Sequence, residues 1–310
     1  MSGVQFGKPE PFEIPSYDYS KVQAIARATD LSSYYANLLD DASERDEEDF
    51  TFGVPVHVTK RLVQRAQNGF EWKVWEDKIK AMGEHYKLEV SGIPGHEKPV
   101  KVHFIYRKST NPDVKAAIPL CIVHGWPGSF LEFEEISKLL SDRGYDVVMP
   151  SLVGYGFSDG PSKAGNEAGG VPWNHSKNAI CNNAIMLSLG YERYVTQGGD
   201  WGSMQSELRE LILSVSNPRK SGLMSGTPAR RMAQMFPDNV KALHLNYFSG
   251  TTTKPDGSGN LSEIEERGIA RLQGFKRKGS AYTEMQGTVP YVRPLPYMLL
   301  IYYSSIQAYS

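Results

Sequence analysis

The chain has 310 residues, 40% hydrophobic and 22% charged, enough for one large domain with its own core or for a domain plus a cap. Its formal net charge of -1 excludes the basic surplus that neutralising nucleic acid or anionic lipid requires. Its two cysteines, Cys121 in an apolar strand-like run and Cys181 in a helical one, are poor material for a disulfide framework and point to a cytoplasmic protein.

Residues 1–85 read as helical, with apolar positions at helical spacing around Val22 and Ile25 and again through Trp72, Trp75 and Ile79. No strand signal is expected there. The N-terminus, with Pro9, Pro11 and Pro15, lacks the apolar segment of a secretory signal, and no window reaches the roughly 18 apolar residues of a membrane span. The acidic run 44–49 reads as a solvated face. Residues 86–90 and 100–106 then look like two strands joined through Gly92, Pro94 and Gly95, so a hairpin is predicted. The run 118–123 is apolar throughout, the mark of a strand buried on both faces.

Helix and strand alternate from there: helix 131–140, strand 145–149, helix 176–189, strand 191–196, a helix after Ser203 and a strand over 240–248. Such alternation implies an α/β fold, a mostly parallel sheet with helices on both faces. A Gly/Ser/Thr-rich connection at 251–260 leads to Ser262-Glu263-Ile264-Glu265, a capping box that opens a helix through Leu272 and Phe275 and begins a partial cap. The expected organisation is an N-terminal helical region over 1–85, an α/β core over 86–250, the start of a cap over 251–290 and a divergent tail over 291–310.

In an open parallel sheet, reactive groups belong at the carboxyl ends of the strands. The most specific candidate there is Gly198-Gly199-Asp200-Trp201-Gly202-Ser203. A sharp strand-to-helix turn needs small residues around its nucleophile, and Gly198, Gly202 and Ser203 supply them, with Asp200 where serine esterases carry serine. The helix that follows would favour the carboxylate through its dipole. A carboxylate attacks amides poorly, but it opens a strained ether or displaces a halide to give a covalent ester. A surface turn with Asp200 as a helix cap is the plainer alternative, and the strand before it and the helix after it weigh against that.

His124-Gly125-Trp126-Pro127 follows the 118–123 strand. Backbone N–H groups of Trp126 and Trp201 are expected to form a two-donor oxyanion hole. His124 is read as a structural histidine as readily as a functional one, and it is not taken as the catalytic base. The Gly-rich loop 150–158 lacks the Lys-Ser/Thr of a phosphate loop and reads as a packed active-site loop. No Cys/His spacing suggests a metal, and no cofactor is implied.

Taken together, these three segments resemble the α/β-hydrolase epoxide hydrolases, specifically their microsomal-type branch; the helical N-terminal region through Trp72, Trp75 and Glu76 to His103-Phe104-Ile105-Tyr106 is similar to that branch's N-terminal domain. The resemblance extends to about Thr288, and without a membrane anchor the chain looks more like the soluble fungal enzymes. It implies that Asp200 opens an epoxide while two cap tyrosines donate to the departing oxygen, on the way to a vicinal diol. The segment from Ala281 to Pro290 is similar to the family's Gly-Tyr-x-x-x-Gln-x-Thr-x-Pro and makes Tyr282 one of them. The implied partners are a small apolar epoxide and water, with a homodimer left open.

The resemblance also implies a histidine after the last strand that activates water. No histidine follows His244, which lies within the 240–248 strand, so the chain is expected to be truncated, without the last strands, and impaired. Residues 205–229 look inserted and 291–310 divergent, as an unspliced intron and a frame change would leave them. A genuine insertion is the alternative, since Leu208, Leu211, Ile212 and Val215 share a helical face. A haloalkane or haloacid dehalogenase, with Trp126 and Trp201 as halide donors, and a non-catalytic ligand-binding remnant are the other functional readings.

Overall fold

Alternation of apolar side chains along five consecutive strands sends each set to one of two faces, and helices cover both. The computed structural model describes residues 3–16, 18–28, 56–125, 128–161, 173–199, 228–246 and 262–278. Among them the chain order is β1 (Gln5–Phe6), β2 (Glu10–Pro11), α1 (Ser20–Ala28), α2 (Val56–Asn68), α3 (Trp72–Ala81), β3 (Glu84–Ser91), β4 (Val100–Arg107), β5 (Ile118–Val123), a 3-10 turn (Phe130–Phe133), α4 (Glu134–Ser141), β6 (Tyr145–Pro150), α5 (His175–Ser188), β7 (Tyr194–Gly198), α6 (Pro228–Met235), β8 (Val240–Leu245) and α7 (Glu263–Lys278). Two units are distinguished; the described residues through Asn246 belong to the first and α7 to the second.

The sheet of the first unit runs β1-β3-β4-β6-β5-β7-β8, with β2 also on β3. The β3–β4 hairpin is antiparallel, as is β4 against β6, whereas β6, β5, β7 and β8 run parallel. It is therefore a mixed sheet whose parallel part carries the α/β alternation. Phe104, Cys121, Val123 and Val148 pack in one core cluster with Ile180, Ala184 and Ile185 of α5 and Met232 of α6. Their chain neighbours Ile105, Leu120, Ile122, Val147 and Met149 pack in another, with Ile79 of α3 and with Phe130 and Phe133. A side-chain period of two along each strand produces this division.

Local signals set the helix ends. Asn174 caps α5 by accepting from Lys177 N at 3.1 Å. Beyond its last turn, Gly190 (φ 86°) bonds to Leu187 O while Tyr191 N reaches Met186 O, the glycine-dependent stop that reverses the chain into β7. Both cysteines are free and buried, and burial pushes both thiols up.

Three sequence expectations are corrected. The first 85 residues are not wholly helical: β1 and β2 pair antiparallel with the edge of β3, where Pro11 opposes Tyr86. Two-residue strands show no periodicity of their own, and an edge tolerates a proline that cannot donate. The strand expected over 191–196 runs Tyr194–Gly198, because Tyr191 is still in the helix stop and donates its hydroxyl to Asp146 at 2.6 Å. The strand expected over 240–248 is described as Val240–Leu245, with Asn246 already out of it and residues 247 and 248 outside the described residues. Pro228 and Ala229, at the end of the segment read as inserted, form the buried first turn of α6, where proline fits because a first-turn N–H has no helical partner. The rest of that segment and residues 291–310 lie outside the described residues. No described helix is long and apolar enough to cross a membrane.

Candidate active site

Parallel pairing brings the carboxyl ends of β5, β6 and β7 side by side. Val123, the last residue of β5, is in register with Gly198, the last of β7, and Cys121 with Val148 of β6. The loops that leave these ends are therefore neighbours, at the edge where α/β sheets place their chemistry.

The first two loops are fastened to each other. His124, buried at 2% exposure, accepts from Leu152 N at Nε2 (3.1 Å), so its proton sits on Nδ1, which donates to Gly125 O (2.9 Å). The ring is edge-on to Tyr155, with centroids 5.2 Å apart. Burial pushes the imidazole down to about 4, partly offset by the bond to Gly125. A neutral ring with both nitrogens engaged is a clamp between loops and no proton acceptor, which fits the structural reading of His124. Val153 N is held by Asn178 Oδ1 of α5 at 3.3 Å, and Gly154 N by Asp159 O at 2.9 Å. Gly156 (φ 52°) lies so close to Ser151 that a β-carbon would come within 2.7 Å of its Oγ, so glycine answers there to both backbone and space.

At the end of β7, Asn246 N bonds back to Gly198 O at 3.2 Å and the Asn246 amide lies where a β-carbon on Gly199 would be. A β-carbon on the glycine before Asp200 would thus displace the Asn246 side chain from its place after β8. The four expected site residues, Asp200, Tyr282, Trp126 and Trp201, all lie outside the described residues. The structure describes what immediately precedes two of them: Gly125 before Trp126, and Gly199 before Asp200. His244 is exposed on β8, opposite Gln197. Sequence reasoning missed Asn246, His103 and Ser151. A polar residue directly after an apolar strand is the signal for Ser151; Asn246, which falls inside the strand expected over 240–248, gives none, and His103 gives none beyond interrupting an apolar run.

Fold and strand-end geometry define the class, an α/β-hydrolase, and the family model for the alpha/beta hydrolase fold matches residues 118–207. The model for the epoxide hydrolase N terminus matches residues 9–133. The chain is 30% identical over 268 residues to epoxide hydrolase 1 of Sus scrofa, an alignment with 79% of this chain and 51% of the relative, and 29% identical over 265 residues to that of Oryctolagus cuniculus, with 78% and 50%. The solved structure of Aspergillus niger epoxide hydrolase matches with a TM-score of 0.61 at 25% identity, covering 94% of this chain and 64% of that one. The chain belongs to the α/β-hydrolase epoxide hydrolases that carry the epoxide hydrolase N-terminal region. It spans about half the length of the curated relatives it matches.

Proposed function

We propose that these 310 residues carry the ester-forming half of epoxide hydrolysis. A carboxylate oxygen of Asp200 attacks an epoxide carbon, the C–O bond of the ring breaks, and the departing oxygen takes a proton from Tyr282. The ester links Asp200 to the ring-opened alcohol, and the N–H groups of Trp126 and Trp201 hold its carbonyl oxygen. The substrate is a small apolar epoxide. The observation that supports this reading is the register of Val123 with Gly198, which brings side by side the ends of the two strands that precede the 124–129 and 198–203 segments.

Release of the diol needs a base that activates water against the ester. Within these residues no histidine follows His244, and His124 is engaged at both ring nitrogens. A polypeptide of this sequence therefore stops at the ester after one turnover. Intact-mass analysis after incubation with a small epoxide tests the reading: one added epoxide mass, mapped to Asp200 and lost in Asp200→Asn, is expected. Continuous diol formation would overturn the single turnover, and an unmodified Asp200 would overturn the nucleophile. Halide released from a chloroalkane, with no epoxide adduct, would move the chain to the dehalogenases.

A further inference from the structure

A second histidine, His103, lies at the centre of a hydrogen-bond chain that the reaction outlined above does not use. It sits on β4 with no exposed surface, and its ring is surrounded by Phe12, Phe130 and Phe157 at centroid distances of 5.2 to 5.4 Å. A phenylalanine would suit such a cage, yet the side chain there is polar and bonded at both ends. Nε2 lies 3.0 Å from His85 Nδ1, and Nδ1 lies 2.8 Å from Ser151 Oγ.

The direction of this chain follows from its outer end. His85 Nε2 is 3.0 Å from Ile79 O, in the last turns of α3, and a carbonyl only accepts, so Nε2 carries the proton of a neutral His85. Its Nδ1 is then an acceptor, which makes His103 Nε2 the donor and His103 Nδ1 an acceptor. The Ser151 hydroxyl must supply that last proton. Burial lowers both imidazoles, His103 to about 3, in keeping with the two neutral rings that this assignment needs. Backbone bonds from Ser151 N to His103 O (2.8 Å) and from His103 N to Ser158 Oγ (2.9 Å), with Ser158 Oγ donating to Ser151 O (2.7 Å), close the loop onto β4.

Ser151 is the first residue after β6, and the next residue, Leu152, donates to His124, which in turn holds Gly125 O. The bonds thus run without a gap from the end of α3, across β3 and β4, to the two loops at the strand ends. We propose that His103 is a positioning residue for the chemistry at those ends, through which the N-terminal region sets the loop after β6 and, by way of His124, the peptide of Gly125. The inference rests on the strand ends being the active site, as proposed above.

The test uses the full 310-residue chain and propylene oxide, with ester formation on Asp200 followed by intact mass. Ser151→Ala and His85→Phe, at opposite ends of the chain and out of contact with each other, are each expected to slow ester formation about tenfold at saturating epoxide, with the half-saturating concentration unchanged within about twofold. The double variant is expected to be no slower than the slower single, because one break already severs the chain. Single variants at the wild-type rate, or a double variant whose loss is the product of the two, would overturn the proposal.

If the wild-type chain forms no ester, the reading of the active site fails, and hydrogen exchange still decides the positioning role. His85→Phe is expected to speed exchange at the Leu152 and Val153 amides about tenfold while the amides of α4 stay as they were. Unchanged exchange at Leu152 and Val153, or equal acceleration in α4, would overturn it. Should His85→Phe not fold, His103→Asn cuts the same link, since it keeps an acceptor for Ser151 but is too short to reach His85.

Discussion

Strands β4 and β8 belong to the same sheet and differ in almost every other respect. In β4, Val100 and Val102 through Tyr106 are buried, β3 and β6 pair with its two edges, and Ile79 and Met82 cover one face while α5 covers the other. In β8 only Val240 is buried, residues 241–244 are exposed, and its described pairing is with β7 alone. Burial is thus concentrated where the N-terminal region meets the sheet, and the loops after β5 and β6 are tied to that side, whereas the end of β7 is met from the β8 side by Asn246.

The largest expected effect is on the histidines of the β4 side. Both His103 and His124 are held well below their ordinary pKa of 6.5, so between pH 6.5 and 4 the unfolded chain binds more protons than the folded one. Stability is then fully present above about pH 6.5 and is lost as the pH falls towards the folded values of about 3 and about 4. Each ring contributes up to about 1.4 kcal/mol per pH unit in that window, roughly 6 kcal/mol together by pH 4. Urea midpoints at pH 6.5 and pH 4 measure it, and His103→Phe should remove about half of the slope. A flat acid limb would break the comparison at its strongest point.

Truncation in the centre of the same strand comes next. Phe104 has no exposed surface and stacks on Tyr86 at 5.5 Å. Phe104→Ala is expected to cost about 3–5 kcal/mol, through lost burial and the cavity left behind, seen as a lowered denaturation midpoint with an unchanged m-value.

A smaller loss is expected where α3 turns into β3. Gly83 has a φ of 153°, and a β-carbon there would lie 2.7 Å from Tyr106 O. Gly83→Ala meets both a disfavoured backbone and a carbonyl that β4 holds in place, at a cost of about 2–3 kcal/mol. A cost below about 0.5 kcal/mol would mean that the turn yields more easily than the packing of Tyr106 implies.

The two sides were also unequally legible in the sequence. Strands β3 to β7 announce themselves because burial on one or both faces imposes a pattern of apolar residues, and helix ends carry local caps such as Asn174. Strands β1 and β2 do not, since their two-residue pairings are decided by the free edge of β3, some 80 residues away. Gly198 and Gly199 stand out in the sequence because a crowded bend restricts residue type; the crowding that the structure describes at Gly199, from the Asn246 amide, comes from the residue after β8 and leaves no trace near Gly199 in the sequence. His103 and Ser151 lie 48 residues apart, and nothing in their surroundings along the chain says that one accepts the other's proton. Tyr282 rests on resemblance alone, because a tyrosine among 17 has no periodicity to distinguish it.

The smallest effect belongs to β8. Leu243 is 37% exposed although it sits in the middle of its strand, opposite Thr196 of β7. A side chain that keeps this much surface in water has already forgone much of the roughly 2–3 kcal/mol that full burial brings. Leu243→Ala should therefore cost about 1 kcal/mol or less, because the atoms removed leave a shallow surface and no enclosed cavity. The measurement is the same denaturant midpoint used for Phe104→Ala, on the chain by itself. A loss approaching that of Phe104→Ala would erase the contrast between the strands, since it would mean that Leu243 is packed in solution by something that its surroundings among the described residues do not supply.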